Sequence, residues 1–150
     1  QNAFLLNMGL ESLHLRIAAH SQNGLGMARH LSEHPKVAWV RYPGLESDQY
    51  YESAKKYLPN GASGVISFGV KGGRAAAEEF MKNLKLCAIE THVADARTCI
   101  LHPANATHRQ MNDDELRAAG IGPDLIRLSC GIESLNDLIA DVDQALACVK

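Results

Sequence analysis

The run Leu125-Ile126-Arg127-Leu128-Ser129-Cys130 has the apolar alternation of a strand, yet it carries a guanidinium at its centre. With a period of two, Ile126, Leu128 and Cys130 take one face, and Leu125, Arg127 and Ser129 take the other. One face therefore belongs to a core and the other to a polar surface or a cleft. An arginine presents a rigid planar fork that matches a carboxylate through two parallel hydrogen bonds, and here it stands beside a small serine. From these residues alone the commoner reading is a surface charge paired with a neighbouring Asp or Glu.

The rest of the chain supplies the helices. Leu6, Leu10, Leu13, Ile17, Met27 and Leu31 recur at helical spacing and predict one long amphipathic helix from about Ala3 to His34, bent near Gly24 and Gly26 and ended by Pro35. Shorter helices are predicted over Tyr50 to Tyr57, over Ala75 to Leu84, and over Asp113 to Ala119, the last capped by Asn112 and closed by Gly120. The final helix carries an apolar stripe of Leu135, Leu138, Ile139, Val142, Leu146 and Val149, and Ser134 with Asp137 resembles a capping box. Strands are predicted at Val37 to Val40, Val65 to Val70, Leu86 to Ile89 and Cys99 to Leu101, besides the one holding Arg127. Strands and helices mixed without strict alternation give an α+β layer structure, a mixed or antiparallel sheet covered by helices.

At 150 residues, 46% of them apolar, the chain has the size of one domain with one core. A net charge of -2 with no basic face, and only 5% aromatic residues, argue against nucleic acid as a partner. No stretch is long and apolar enough for a membrane span, and we read the chain as cytoplasmic. Cys87, Cys99, Cys130 and Cys148 share no metal-type spacing and are expected to be free. The chain opens at Gln1, already in helical periodicity and uncapped, and reads as a piece of a longer protein.

Three clusters of chemically capable residues stand out. His30-Leu31-Ser32-Glu33-His34 fits a pattern of zinc proteases, but Pro35 stops the helix such a site needs, and histidines in a last turn are explained by the helix dipole. Gly69, Gly72 and Gly73 follow a strand without the spacing of a phosphate loop, so a tight turn is expected. Thr91-His92-Val93-Ala94-Asp95-Ala96-Arg97-Thr98 and His102-Pro103-Ala104-Asn105-Ala106-Thr107-His108 concentrate three His, several Thr and an Asp. By physics alone they suit a metal site, a proton relay or a hydrogen-bonded loop, and the loop is favoured because His102 and His108 lack helical ligand spacing.

The His-Pro-Ala run at 102 to 108, followed by Ile-Arg-Leu-Ser-Cys-Gly-Ile-Glu at 126 to 133, resembles the C-terminal domain of the pyridoxal-phosphate enzymes of cysteine and methionine metabolism. Asn2 to Leu6 and Gly9 to Leu13 resemble that family's interdomain helix, so the likeness spans nearly the whole chain. Val93-Ala94-Asp95-Ala96-Arg97-Thr98 and Tyr42-Pro43-Gly44-Leu45 resemble the O-acetylhomoserine sulfhydrylase branch.

The resemblance implies the small C-terminal domain of fold-type I pyridoxal-phosphate enzymes, with residues 1–34 as an interdomain helix and residues 35–150 as the substrate-binding domain. The large cofactor-binding domain lies outside this chain. The implied reaction is γ-replacement, in which O-acetyl-L-homoserine and sulfide or a thiol give homocysteine or methionine and acetate. Arg127 maps onto the residue that binds the substrate carboxylate, with His92 and the backbone at Val93 on the loop beside it. Thr98, His102 and Thr107 map onto supporting positions. His92 stands where the family has Asn or Ser, and Ala94 where it has Gly. No catalytic, cofactor-binding or metal residue is implied in this chain. Pyridoxal 5'-phosphate is expected on the large domain, and the isolated chain is expected to be inactive. The full-length enzyme is expected to be a homotetramer acting on a small amino acid. Cystathionine γ-synthase, cystathionine γ-lyase and methionine γ-lyase relatives share such a domain. A non-catalytic binding or scaffold module is the reading from another class.

Overall fold

The computed structural model describes all residues from Gln1 to Lys150. Five strands form one sheet in the order β1-β2-β5-β4-β3: β1 Val37–Arg41, β2 Val65–Val70, β3 Ala88–Ile89, β4 Cys99–Leu101 and β5 Leu125–Ser129. Every neighbouring pair is antiparallel except β3 with β4. The helices are α1 Asn2–Glu11, α2 Leu13–Glu33, α3 Tyr51–Tyr57, α4 Gly73–Lys82, α5 Asp113–Ala118 and α6 Leu135–Cys148, with a 3-10 turn at Pro103–Asn105. α2 and α4 lie on the sheet, and α6 packs against both. This is the α+β mixed sheet covered by helices that the order of strands and helices predicts.

The core sits between that sheet face and those helices. Ile66 and Phe68 of β2 and Ile126 and Leu128 of β5 are fully buried, against Met27 and Leu31 of α2, Phe80 of α4, and Leu138, Val142 and Leu146 of α6. Phe68 and Phe80 meet edge to face at 5.8 Å between ring centres. Each such side chain contributes about 1.5–3 kcal/mol by leaving water. Their strand neighbours Ser67 and Arg127 occupy the opposite face.

The N-terminal segment differs from its expected form. It is two helices, α1 and α2, separated at Ser12, and α2 continues as helix through Gly24 and Gly26. Those glycines serve packing instead. A Cβ at Gly24 would come within 2.6 Å of the Ser63 carbonyl, and one at Gly26 would collide with Leu135 of α6. They let α2 lie close to its neighbours.

Two further departures have clear causes. The expected capping box of α6 does not form, and Ser134 makes no side-chain cap bond. Asp137 is one methylene shorter than the Glu or Gln that reaches back in such a box. α5 shows the contrast, where Asn112 accepts from Asp114 N and Glu115 N while Glu115 returns a bond to Asn112 N. The strand expected from Leu86 is cut to Ala88–Ile89 because the backbone before it is captured. Buried Asp141 of α6 accepts from the N–H groups of Lys85, Leu86 and Cys87 at 2.8, 2.9 and 2.9 Å. Gly72 and Gly73 make a left-handed tight turn into α4, as their spacing implied. Cys87, Cys99 and Cys130 are buried and Cys148 is exposed, all as free thiols.

Burial raises the Asp141 carboxyl, but the N–H groups of Cys87, Lys85 and Leu86 outweigh it and hold the group below the usual carboxylate range. Its stabilisation is therefore complete above the unfolded value of about 3.9 and fades as pH falls through the lower folded value. Asp141→Ala leaves three N–H groups without an acceptor and is expected to cost about 3 kcal/mol, read by urea denaturation at neutral pH. Asp141→Asn is expected to show a flatter loss of stability on acidification than the natural chain.

Candidate functional site

The open face of the sheet is organised around Arg127. In register it lies between Ser67 of β2 and Leu101 of β4, so one flank is a short side chain. Its Nη2 donates to the Thr91 carbonyl at 2.7 Å, while Nε is enclosed and has no acceptor. No carboxylate of the chain pairs with it: the salt bridges of the molecule involve other residues. The commoner reading of a strand arginine, a paired surface charge, does not apply here. A guanidinium with five donors and one protein acceptor is short of anionic partners.

Residues 90–98 form the loop over this face. Ala94 N donates to Ser129 Oγ at 3.1 Å, which ties the loop to the residue two beyond Arg127. Ala94 itself takes a left-handed conformation, φ 58°. Val93 is half-exposed and its N–H donates to no atom of the chain. The His92 ring is 63% exposed and turns to the acidic side of the loop, with Nδ1 2.9 Å from Glu90 Oε2. Its imidazole and the Val93 backbone therefore differ, the first lying against the acidic residues of the loop and the second left without an acceptor in the chain.

Thr98 is the most thoroughly engaged of the supporting residues. Its N–H and hydroxyl donate to the two oxygens of Glu133, at 2.6 and 2.9 Å, and its hydroxyl accepts from Gly131 N at 2.8 Å. Ile132 N donates to Ala96 O at 2.9 Å. From α2, His20 Nδ1 donates to the Cys130 carbonyl at 2.6 Å, and Asn23 Nδ2 donates to the carbonyls of Gly131 and Glu133 at 3.0 and 2.9 Å. Buried His102 donates to Pro123 O at 2.8 Å, joining the end of β4 to the approach of β5. Thr107 is exposed, and its hydroxyl pairs with the adjacent His108 ring at 2.9 Å.

His20, Asn23 and Glu133 were not singled out in the sequence. Glu133 closes the Ile-Arg-Leu-Ser-Cys-Gly-Ile-Glu run, so its place beside the motif was the one available signal. His20 and Asn23 sit over a hundred positions away and gave none. His30 and His34, set aside as zinc ligands, both face Asp143 of α6, with Nε2 atoms 2.6 and 3.9 Å from one carboxylate oxygen.

Fold and site together define a small α+β domain that presents a strand-held, unpaired guanidinium beneath a fixed loop. The chain belongs to the Cys/Met metabolism PLP-dependent enzyme family, whose model matches residues 1–147. It is 49% identical over 143 residues to a homocysteine synthase of Schizosaccharomyces pombe, covering 95% of this chain and 33% of that one. It is 42% identical over 145 residues to O-acetyl-L-homoserine sulfhydrylase 1 of Thermus thermophilus, covering 97% and 34%. The crystal structure of an O-acetylhomoserine (thiol)-lyase of Campylobacter jejuni bearing N'-pyridoxyl-lysine-5'-monophosphate superposes with a TM-score of 0.90 at 42% identity, over 98% of this chain and 35% of that one. The chain thus spans about a third of the length of these relatives.

Glu133→Ala is expected to free the Thr98 N–H and hydroxyl together and to lower stability by about 2 kcal/mol. Hydrogen exchange is the decisive reading: the amides of Ala94, Thr98 and Gly131 should all lose protection in the variant, while those of α4 keep theirs.

Proposed function

We propose that residues 35–150 are the substrate-binding domain, and residues 1–34 the interdomain helices, of a pyridoxal-phosphate enzyme that converts O-acetyl-L-homoserine and sulfide or a thiol to homocysteine or methionine and acetate. The observation that carries this is Arg127, a guanidinium on a rigid strand with no acidic partner in its own chain. In this reading Arg127 binds the α-carboxylate of the amino acid. Thr91 O holds the guanidinium plane, and the Val93 N–H adds a second donor from the loop.

The residues present fit the substrate side of such a site, and three of the lysines are engaged within the chain. Lys36 Nζ donates to the carbonyls of Leu146, Ala147 and Val149, Lys71 Nζ donates to Pro35 O, and Lys55 pairs with Glu52. Pyridoxal phosphate, when bound, supplies the electron sink for the reaction, and we assign it to the rest of the full-length protein. α1 supports a larger assembly. Phe4, Leu5, Leu6, Met8 and Leu10 are each more than half exposed, and none of its residues is buried. A continuous apolar surface of this kind marks a contact with further protein.

In the full-length enzyme, Arg127→Ala is expected to lower kcat/KM for O-acetyl-L-homoserine through a raised KM, by about 2–4 kcal/mol or roughly 30- to 900-fold. Steady-state kinetics check it, and unchanged KM would remove Arg127 from the site. Activity with O-acetyl-L-homoserine and sulfide, against activity with cystathionine, tests the reaction assigned.

A further inference from the structure

Arg127 is not the only guanidinium on the open face of the sheet. The registers set Arg41 of β1 opposite Ser67 of β2, and Ser67 opposite Arg127, so the three share one cross-strand row. One residue along each strand, Val40, Phe68 and Ile126 are aligned in the same way and pack into the core, which fixes the arginine row on the helix-free face. Arg41 is exposed and enters none of the ion pairs of the molecule. β1 is an edge strand, and a charge on an edge guards against pairing with another chain. That accounts for a charge on β1 but not for its alignment with Arg127 or for what borders the row.

The neighbouring row on the same face is Trp39, Gly69 and Leu125. Trp39 Nε1 donates to Asp124 Oδ2 at 2.8 Å, which also engages the acid just before β5. A Cβ at Gly69 would collide with the indole and with that carboxylate, so glycine lets the ring lie against the strand. The indole thus forms an apolar wall beside the row. Beyond Arg127 the row ends at buried Leu101, whereas on the other side short Ser67 leaves it open as far as Arg41. Two strand spacings put the Arg41 and Arg127 Cα atoms about 10 Å apart. Two long, flexible forks at that separation can meet two carboxylates joined by a chain of several atoms.

We propose that Arg41 is a second carboxylate receptor in line with Arg127, and that it selects a thiol co-substrate bearing a carboxylate of its own. This rests on the reading of Arg127 given above. There the amino acid places its α-carboxylate on Arg127, and its acetyl group carries no charge, so the second carboxylate belongs to the incoming thiol. The carbon–sulfur bond forms as the carbon–oxygen bond to acetate breaks, and the thiol proton passes to solvent. The product is a thioether with a carboxylate at each end, one on Arg127 and the other on Arg41. The methylene chain between them runs over Ser67 and along the Trp39 wall. Arg41 touches only the remote end of the thiol, so it acts on thiol choice and not on the reacting atoms.

The test uses the full-length protein that carries this domain, with O-acetyl-L-homoserine held constant and 3-mercaptopropionate compared with 1-propanethiol. KM is expected to be about tenfold lower for the carboxylate-bearing thiol. Arg41→Ala should abolish that difference, and Arg41→Lys should restore part of it. Arg127→Ala should instead raise KM for O-acetyl-L-homoserine with either thiol. Calorimetry with suberate, whose chain has the length of the spacer in that product, gives a reading independent of turnover: Arg41→Ala should weaken suberate about tenfold more than octanoate. Equal KM values for the two thiols, or a difference that survives Arg41→Ala, overturn the proposal. So does lowered stability of Arg41→Ala without a change in thiol preference, which assigns Arg41 to an ion pair with the rest of the protein. Unchanged KM for O-acetyl-L-homoserine in Arg127→Ala is the separate failure of the reading of Arg127, and suberate binding indifferent to Arg41→Ala then overturns this proposal as well.

Discussion

The placement of Arg127 depends on the turn that follows β5, where three distant parts of the chain meet. Cys130 N donates to the Gly64 carbonyl, the carbonyls of Cys130, Gly131 and Glu133 accept from His20 and Asn23, and Gly131 N and Ile132 N donate into the loop. A Cβ at Gly131 would collide with Ala96 O and the Glu133 carboxylate, so only glycine lets the loop come this close. These bonds are largely buried, where losing one partner costs more than the pair contributes. The turn therefore acts as one unit. It fixes the end of β5, the start of α6 and the inner edge of the loop in a single geometry.

That unit explains why a strand rather than a loop carries the guanidinium. β5 is the central strand of the sheet, with β2 and β4 on either side and fully buried Ile126 and Leu128 beneath it. Arg127 inherits the rigidity of the strand on the one face that helices do not cover. The cross-strand neighbour Ser67 is short, so the fork is not shielded from that side. A receptor for a small anion needs this combination of fixed backbone and open flank.

Much of this was legible locally. The alternation of β5 gave its faces, the apolar stripe of α6 gave its packing side, and Asn112 with Glu115 gave a helix start that the structure builds as a capping box. What sequence could not show was set by residues far apart in the chain. Asp141 shortens a strand more than fifty positions earlier by taking its N–H groups, and His20 with Asn23 holds a turn over a hundred positions later. The helix break falls at Ser12, a residue of the N-cap type whose signal was masked by apolar spacing that continues across it. Gly24 and Gly26 looked like a hinge because glycine is usually weak in helices. Their close approach to Ser63 and Leu135 depends on partners that only the fold brings near.

The loop shows how far local and global preferences can differ at a binding surface. Ala94 holds φ at 58°, a conformation that costs a residue with a Cβ on the order of 1–2 kcal/mol, and it is retained because its N–H reaches Ser129. The Cβ does not abolish the close approach that a glycine would make easier; it adds strain that the anchor offsets. His92, larger than an amide or hydroxyl side chain, is drawn to Glu90, while the Val93 N–H donates to no atom of the chain. In the proposed reading the imidazole acts on carboxylate binding through the shape of the loop, and Arg127 keeps the direct electrostatic role.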